Sequence, residues 1–382
     1  MAVYVLMKKT VSLFLAVLLL LSAVSCTVSS PSYMRYKNHE ISQSMYEYLT
    51  AYYKTRFFSS FAEYGLVTDD NYDEELWDET VDGDRKLSQQ VCDYVDTMIR
   101  EMLVTAVKYD EMGLGSDKEI KEALDRATDG FMSDYISAAG SRSELNSICA
   151  EYGMNINTLR RLTEYETKAA IVEDKLFGED GEYAVNDGER EKFYENNYSR
   201  VKHILINNAY KYVTDENGDP IMDIYTGRYK TEELTEKEKA EKQDLADEIL
   251  SKAKAGADFE ELMKEYNEDS GMESYKDGYF VSPDTVLDTK YITAAMILKE
   301  GETVLADTSY GLMIIKKYPL EAGMWKDETN SAFFSDLDQN IIAQKKEEIY
   351  GEFYKDFEVS DTKKDFSSIP PLDGRLTKTS SE

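Results

Sequence analysis

Few side chains in this chain are suited to acid–base, nucleophilic or metal chemistry. The 382 residues include two histidines and three cysteines, whereas a zinc site takes four protein ligands, or three if it is catalytic. We therefore expect no Cys/His zinc cluster, no other metal and no cofactor. His203 lies in the apolar run Val201–Asn207, where a lone histidine is either a hydrogen-bonded core residue or a reactive group. Asp269 and Ser270 are a second polar candidate, or else a turn that ends a helix.

Cys26 is a third candidate, because it ends a segment typical of a secretory signal. Lys8 and Lys9 precede an apolar run over residues 11–24, which is too short for a membrane-spanning helix of about 20 residues. Residues 23–26 read Ala-Val-Ser-Cys, which resembles the lipobox of bacterial lipoproteins. The resemblance implies cleavage before Cys26, lipidation of its thiol and anchoring at the outer face of the cytoplasmic membrane. An ordinary signal peptide is the alternative, and both predict an extracytoplasmic protein.

The charge of the chain excludes one class of partner. Lys and Arg number 44 against 75 for Asp and Glu, which gives a net charge of −31. Removal of residues 1–25 would take away two lysines and no acid, so the mature charge would be −33. A surface that binds nucleic acid needs clustered Lys and Arg, and we expect no nucleic-acid partner. The charge favours basic polypeptide partners, with binding that weakens in salt.

The region 39–198 carries the signals of a helical domain. Apolar residues recur there at spacings of three and four, which places them on one face of a helix. The two clearest stripes are Leu87, Val91, Tyr94, Val95, Met98 and Met102, and Leu159, Leu162, Tyr165, Ala169, Val172 and Leu176. Residues 116–119 and 141–144 are predicted capping boxes. Cys92 and Cys149 fall within these helical patterns, either as small core residues or as a disulfide.

Both ends of the mature chain are predicted to flank a central domain. Residues 26–38 are polar and Ser-rich, typical of a tether after the signal peptide of residues 1–25. The region 319–360 is predicted to form a long amphipathic helix that packs on the N-terminal helices. Its apolar residues are Phe333, Phe334, Leu337, Ile341, Ile342, Ile349, Tyr350 and Phe353. The tail 361–382 is polar and predicted to be disordered.

The central region 199–318 alternates strand and helix signals. The predicted elements are, in order, a strand at 201–207, a hairpin of 212–213 with 221–225, helices from Thr235, from Asp258 and over 291–298, and strands at 303–305 and 312–317. Asn217-Gly218 supplies the hairpin turn. This order predicts an α+β domain of about 120 residues.

The motifs of this region resemble those of the parvulin-type peptidyl-prolyl isomerases. In order, they are Val201-Lys-His-Ile-Leu, Ala255-Gly-Ala-Asp-Phe, Tyr266-Asn-Glu-Asp-Ser, Gly278-Tyr-Phe, Leu298-Lys-Glu-Gly and Tyr310-Gly-Leu-Met-Ile. No single motif is specific, but the ordered set is, and it covers residues 199–318. The resemblance implies catalysis of rotation about Xaa–Pro bonds, with no covalent step and no metal.

The same resemblance assigns roles to particular residues. In parvulins an apolar cup holds the proline ring, and two strand histidines beside it flank a Cys or Asp in a hydrogen-bonded cluster. His203 matches the first histidine and Asp269 the Cys/Asp position, so the resemblance implies that they are catalytic. Phe280 and Leu287 fall where the cup is built, and Tyr291 falls where the family usually has Phe.

Three departures from the parvulin pattern predict weak or absent isomerase activity. Met313 occupies the second histidine position and is assigned with the substrate-binding residues. The family's Gly-Asp-Leu-Gly is shortened to residues 276–278, which removes a Leu from the cup. Tyr291 adds a hydroxyl that needs a hydrogen-bond partner or water. The fold itself should survive, because Met packs well in place of a buried His.

The flanking helices resemble, in layout, the PrsA-like foldase lipoproteins and the SurA-like chaperones. The predicted fold is thus α+β, with a parvulin-like domain of small antiparallel sheet and surrounding helices inserted in an all-α domain made from both ends of the chain. The resemblance implies a folding factor that binds unfolded exported polypeptides and Xaa–Pro segments. The alternative is a non-enzymatic surface lipoprotein that uses the parvulin fold as a peptide-binding module. A solute-binding protein is disfavoured, because repeated strand–helix units are missing.

Overall fold

The computed structural model describes residues 30–63, 74–82, 84–361 and 364–377. The chain divides into two compact units. The first unit comprises residues 1–184 and 346–382, and the second comprises residues 185–345. The predicted signal peptide and Cys26 lie outside the described residues, so their assignments stay predictions.

The helices and strands alternate along the chain as follows. The α-helices are α1 Gln43–Glu63, α2 Leu87–Glu111, α3 Lys118–Ala139, α4 Arg142–Glu151, α5 Ile156–Phe177, α6 Asp187–Asn197, α7 Glu236–Lys254, α8 Phe259–Tyr266, α9 Gly271–Ser274, α10 Thr289–Ile297 and α11 Leu337–Gly351. The strands are β1 Ser32–Tyr36, β2 His39–Ser42, β3 Thr80–Asp82, β4 Arg85–Lys86, β5 Ser199–Ile206, β6 Tyr210–Tyr212, β7 Thr231–Glu233, β8 Tyr279–Val281, β9 Thr303–Thr308, β10 Gly311–Tyr318 and β11 Glu358–Val359. Short 3₁₀ turns span Glu74–Asp78, Leu114–Ser116, Met324–Lys326, Glu328–Phe333, Tyr354–Asp356, Phe366–Ser368 and Gly374–Leu376.

Helices α3, α4 and α5 of the first unit begin at side-chain caps. Ser141 caps α4 as predicted, since its hydroxyl accepts the backbone N–H of Glu144 at 3.1 Å. The cap of α3 is Asp117 instead of the predicted Ser116, and its carboxylate accepts two backbone N–H groups. A carboxylate at this position also interacts favourably with the positive, N-terminal end of the helix dipole. The buried stripe of α2 follows the predicted spacing, except that Tyr94 lies half exposed.

The tether predicted for residues 26–38 is wrong over β1. This strand pairs antiparallel with β2 and with β11, so that the end of the chain completes a three-stranded sheet. Tyr33 and Met34 have no exposed surface, and the Tyr33 hydroxyl donates to the Asp96 carboxylate at 2.5 Å. A segment that looks polar in sequence therefore contributes to the core of the first unit.

The disordered tail predicted for residues 361–382 is also wrong where the chain is described. Ile369 is fully buried, and its carbonyl accepts a hydrogen bond from the buried Lys54 ammonium at 3.1 Å. Leu372 is buried as well, and its carbonyl accepts from the Thr55 hydroxyl at 3.0 Å. Residues 364–377 thus pack along α1.

Cys92 and Cys149 are not joined by a disulfide. Cys149 is buried, and burial raises the pKa of its thiol to about 11. A thiol in that state is a poor nucleophile, because the reactive form is the thiolate. Cys149 therefore acts as a small core residue of α4.

The second unit is built on a four-stranded antiparallel sheet with the order β8-β5-β10-β9. Alternate residues of β5 face opposite sides. Ile204 and Ile206 pack under α7 and α8, whereas Val201 packs with α10. The central pair β5–β10 sets His203 opposite Ile315. Helices on both faces bury this pair, which is why both strands read as continuous apolar runs.

The predicted hairpin after β5 is longer than expected. The Asn217-Gly218 turn is present, with Gly218 in the left-handed region at φ +89°. However, β6 pairs with β7 at residues 231–233, beyond the strand predicted at 221–225. The latter segment forms a smaller loop nested within the hairpin.

The region 319–360 is shared between the two units. Phe334 and Leu337 pack in the second unit with Tyr194 of α6. In the first unit, the Lys346 ammonium forms ion pairs with the carboxylates of Glu101 and Glu173, at 2.6 and 2.7 Å. Helix α11 therefore crosses the boundary between the units, and only its second half belongs to the helical unit.

We predict that Ile369→Ala destabilises the first unit by about 2–5 kcal/mol, the usual cost of truncating a fully buried aliphatic side chain. Trp77 lies in the same unit, with its ring 5.3 Å from that of Phe366, and its fluorescence reports unfolding in a Trp325→Phe background. Ser367→Ala, at an exposed position of the same segment, is the control. Equal stability of the two variants in a denaturant titration would show that the segment does not contribute to the core.

Candidate active site

The candidate site is centred on His203 in β5. The imidazole is 1% exposed and lies on the face of the sheet that packs against α10. Its Nε2 atom is 2.8 Å from Oδ2 of Asp269, and its Nδ1 atom is 2.9 Å from the Tyr291 hydroxyl. The structure thus brings together three residues predicted from the sequence.

The directions of these hydrogen bonds follow from the chemistry of the partners. A carboxylate only accepts, so His203 donates from Nε2 to Asp269. With Nε2 as the donor to Asp269, Nδ1 accepts the hydrogen bond that the Tyr291 hydroxyl donates. Burial raises the pKa of Tyr291 well above its usual value, which keeps that proton in place. Both ring nitrogens of His203 are therefore satisfied inside the protein.

Asp269 is held as an anion beside the histidine. The hydrogen bond from His203 lowers the pKa of Asp269 below its usual range, against the opposing effect of burial. The backbone N–H of Gly271 supports the anion by donating to Oδ1 at 2.8 Å. The Asp269 side chain keeps 23% of its surface exposed, so it is the member of the cluster that solvent can reach.

Asn267 fixes the loop that carries Asp269. Its side-chain oxygen accepts the backbone N–H of Leu205 in β5 at 2.8 Å and that of Asp269 at 3.1 Å. Its amide nitrogen donates to the Asp269 carbonyl at 2.7 Å. These bonds tie the loop to the strand two residues from His203. Asn267 is a positioning residue that sequence reasoning missed, although it lies inside a quoted motif.

Tyr279 is a second site residue that sequence reasoning missed. Its ring packs edge-on against the His203 ring, with centroids 5.3 Å apart, and its hydroxyl lies 3.4 Å from Oδ2 of Asp269. Burial, followed by the charge of Asp269, raises the pKa of Tyr279 to about 12. Gly271 allows this approach, because a Cβ there would overlap the Tyr279 hydroxyl. The sequence signal for Tyr279 is its aromatic ring directly before Phe280 in the motif Gly278-Tyr-Phe.

The remaining predicted residues divide between two faces of the sheet. Met313 and Tyr291 share one buried cluster, and Leu287 packs against it while partly exposed. Phe280 lies in a different cluster, with Tyr194 and other aromatic residues. Because successive strand residues point to opposite faces, Tyr279 points toward His203 and Phe280 points away. The prediction that Phe280 lies in the apolar cup is therefore wrong.

The shortened loop at residues 276–278 is firmly anchored. Gly278 has φ +96°, and a Cβ there would collide with the Val201 carbonyl, so only glycine fits. The mostly buried Arg200 guanidinium donates to the Asp277 carbonyl at 2.6 Å. These contacts set the register of β8 on β5, and hence the position of Tyr279.

Two segments near Tyr291 expose apolar side chains, which we call the apolar rim. Val286, next to Leu287, is 90% exposed, and Tyr310 is half exposed in the turn between β9 and β10. Asp288 joins these two segments, because its carboxylate accepts the backbone N–H of Ser309 at 2.8 Å. The second unit thus exposes both apolar side chains of the rim and part of the Asp269 carboxylate. Within the described part of the chain, no cluster of three or more His, Cys, Asp or Glu side chains is placed to hold a metal ion.

Comparison with known families agrees with this geometry. Residues 190–318 match the sequence model of the PPIC-type PPIASE domain, a peptidyl-prolyl isomerase domain. The chain therefore contains a parvulin-type domain, as its motifs predict. No curated protein sequence matches the chain.

Several solved structures are similar to this chain at low identity. PrsA of Bacillus subtilis is 21% identical, with 74% of this chain and 93% of that chain covered and a TM-score of 0.23. The peptidylprolyl isomerase PrsA of Bacillus cereus is 18% identical, with 89% and 97% covered and a TM-score of 0.29. A SurA-like chaperone of Campylobacter jejuni is 13% identical, with 84% and 98% covered and a TM-score of 0.20. At these values the domain assignment rests on the family match and the site geometry.

We predict that Tyr291→Phe destabilises the second unit by about 1–3 kcal/mol, the cost of leaving a buried polar group without its partner. The variant removes one oxygen and leaves Nδ1 of His203 buried without a donor. Trp325 reports unfolding of this unit in a Trp77→Phe background, since its indole is hydrogen-bonded to Glu191 at 2.7 Å.

The matched control for this variant is Tyr225→Phe, which removes the same atom from a side chain that is 91% exposed in the same unit. We expect this control to unfold with the wild-type midpoint. If both variants unfold with that midpoint, the Tyr291 hydroxyl is not the required partner of His203.

Proposed function

We propose that this chain is an extracytoplasmic folding factor for exported proteins, with a PPIC-type domain that binds Xaa–Pro segments and isomerises them weakly. The observation that carries the proposal is the His203–Asp269 hydrogen bond, whose carboxylate is partly exposed. The match of residues 190–318 to an isomerase domain supports the same reaction class.

The reaction requires loss of amide conjugation. Rotation about an Xaa–Pro bond has a barrier of about 18–20 kcal/mol, and the uncatalysed exchange limits folding. The conjugated amide places partial negative charge on the carbonyl oxygen. A fixed carboxylate beside that oxygen disfavours the planar state and lowers the barrier to twisting, a form of electrostatic preorganisation. Asp269 supplies this charge, and Leu287 with the rim supplies the apolar contact for the proline ring.

The weakness of the activity follows from the occupied imidazole. His203 uses Nε2 on Asp269 and Nδ1 on Tyr291, so neither nitrogen is available to a substrate. Met313 has a thioether where the family has a second histidine, and it offers no strong hydrogen-bond donor. The polar groups left for a substrate are those of Asp269 and Tyr279, which lowers the expected rate.

Exposed aromatic and aliphatic residues support the chaperone part of the proposal. The long hairpin of the second unit carries such residues on its surface: Tyr210, Tyr212, Met222, Ile224, Tyr225 and Tyr229. The first unit exposes Tyr94, Met112 and Phe131. Flexible Met and amphipathic Tyr side chains adapt to many partners, as a binder of unfolded chains requires. The high negative charge keeps such surfaces soluble.

Anchoring at the membrane belongs to the same proposal. Cys26 would carry the lipid, with the mature chain outside the cytoplasmic membrane of a bacterium. In the described ranges, no helix is both long and apolar enough to cross a membrane. The lipid at Cys26 would therefore be the membrane attachment that the proposal requires.

One observation favours a second candidate function. The His203 ring is 1% exposed, so the cluster is equally suited to stiffening a peptide-binding module without catalysis. In that case the chain would be a surface lipoprotein that recognises peptides through its parvulin fold. An activity measurement separates the two functions.

We predict that the full chain accelerates cis–trans exchange of an Xaa–Pro peptide in a protease-coupled assay, and that Asp269→Ala lowers kcat/KM by about tenfold or more. Loss of one preorganised electrostatic group typically costs at least this much. Glu265→Ala, at an exposed acid of α8, is the control with the same change of charge. No acceleration above buffer would exclude the isomerase and leave the peptide-binding module.

We also predict that the full chain suppresses aggregation of a reduced, unfolded client, and that Asp269→Ala suppresses it as well as wild type. The reason is that client binding uses the exposed apolar surfaces rather than the isomerase site. Light scattering at equal client and chain concentrations measures this effect. Phe131→Ser should weaken the protection, and a wild-type chain that protects no client would remove the chaperone from the proposal.

A further inference from the structure

A large cavity lies in the first unit, among α1, α3 and α5. Its volume is about 650 Å³, within the range of small-molecule and side-chain pockets. Its lining is rich in tyrosine, with Tyr48, Tyr52 and Tyr53 from α1 and Tyr135 from α3. Neither the isomerase chemistry nor the packing of the unit explains this cavity.

The cavity contains one carboxylate in an apolar setting. Glu166 of α5 lines it, and burial raises the pKa of Glu166 to about 7. Among the described residues, none forms a hydrogen bond or ion pair with the Glu166 side chain. The Glu166 side chain is only partly exposed. A carboxylate in an apolar setting usually has such a partner, because an unpaired charge there is unfavourable. Glu166 therefore lacks a cation from the described part of the chain.

The tyrosines lie around this carboxylate. The pKa values of Tyr48, Tyr53 and Tyr135 are raised, first by burial and further by the nearby charge of Glu166. The Tyr48 hydroxyl is buried, and no residue in the described part of the chain forms a hydrogen bond with it. Its oxygen is a second acceptor beside the carboxylate, and the aromatic faces are a favourable environment for a cation.

The charged residues that line the cavity indicate which class of chemical group it binds. Of the described residues that line the cavity, Asp134 and Glu166 are acidic and none is basic. An ammonium or guanidinium group would pair with Glu166, donate to Tyr48 and lie against tyrosine rings. An acidic or purely apolar occupant would leave the carboxylate unpaired.

We propose that this cavity binds the cationic side chain of a Lys or Arg residue in an unfolded polypeptide, with Glu166 as its counter-ion. This inference rests on the proposed function, because it specifies which client segments the helical unit selects. The rest of the client lies outside the cavity, and the cavity itself selects for charge.

The test uses the full chain and three probes. The first is a short fluorescent peptide with a single Lys, the second replaces that Lys with norleucine, and the third is n-butylammonium as an unlabelled competitor. Fluorescence anisotropy should show that the norleucine peptide and the Glu166→Gln variant each lose about tenfold or more in affinity, the effect of removing one partner of a buried ion pair. Glu151→Gln, at an exposed acid of the same unit, should bind like wild type.

Three results would overturn the inference. The first is equal affinity for the Lys and norleucine peptides. The second is a Glu166→Gln variant that binds the Lys peptide as tightly as wild type does. The third is binding of n-butylammonium through Glu166 without binding of the peptide. The last result would assign the cavity to a free organic cation. A chain that binds the Lys peptide through Glu166, yet neither protects a client nor isomerises, would refute the proposed function and leave this inference standing.

The pH dependence provides a readout that peptide binding alone does not. The titratable groups that line the cavity with Glu166 are Tyr48, Tyr52 and Tyr53 of α1, and Asp134 and Tyr135 of α3. Because the folded pKa of Glu166 lies above its unfolded value, stability falls as pH rises from about 4.5 to about 7, and the loss is complete above that range.

Glu166→Gln should therefore raise Tm at about pH 8 and have little effect at about pH 4, where both side chains are neutral. Affinity for the Lys peptide should increase between about pH 6 and pH 8 in wild type, and the variant should lack this increase. A Tm difference that is the same at both pH values would show that Glu166 is not a desolvated carboxylate, and the counter-ion role would be refuted.

Discussion

A histidine buried on a central strand must have a hydrogen-bond partner for each ring nitrogen, and the site of the second unit is organised around this requirement. Asp269 satisfies Nε2 and Tyr291 satisfies Nδ1 of His203. Two of the three departures from the parvulin pattern, Met313 and Tyr291, lie in one buried cluster. The hydroxyl of Tyr291 supplies the donor to Nδ1 from α10. A polar network of this kind is stable only when every member is satisfied. The cluster is thus a complete structural unit that leaves Asp269 as its accessible group.

The sequence was sufficient to locate most of this site, and the exceptions have a common physical cause. His203 and Asp269 lie in motifs whose order does not depend on strand register, and Tyr291 follows from its position between two of those motifs. Phe280 was misplaced and Tyr279 was overlooked because β8 is only three residues long. A strand this short has no alternating pattern that shows which side chains face the core. A register shift of one residue decides whether Tyr279 or Phe280 faces His203. The register is set instead by Gly278 and by long-range contacts that no local pattern contains.

The first unit shows the same division between local and distant information. Helix positions were predictable, because caps and apolar spacing are local signals. The N-cap of α3 is Asp117 instead of Ser116, a shift of one residue between two residue types that both favour the N-cap position. The tether and the tail were misjudged for the opposite reason. Each is polar on average and contains only a few buried residues, such as Tyr33 and Ile369. Strand β1 pairs with β11, and the tail packs on α1. In both cases the two partners lie more than 300 residues apart in the sequence.

This pairing of distant ends has a consequence for the proposed function, in which the chain leaves the cytoplasm with its N-terminus first. The β1 strand and the α1 helix emerge early, but the segments that complete their packing, β11 and residues 364–377, emerge last. The contiguous second unit has all of its residues outside before that moment, so it is free to fold first. Until then, the apolar surfaces of β1 and α1 remain uncovered. Closure of long loops is slow relative to local structure. A chain that is truncated during export would therefore retain its isomerase-type domain and lack a finished helical unit.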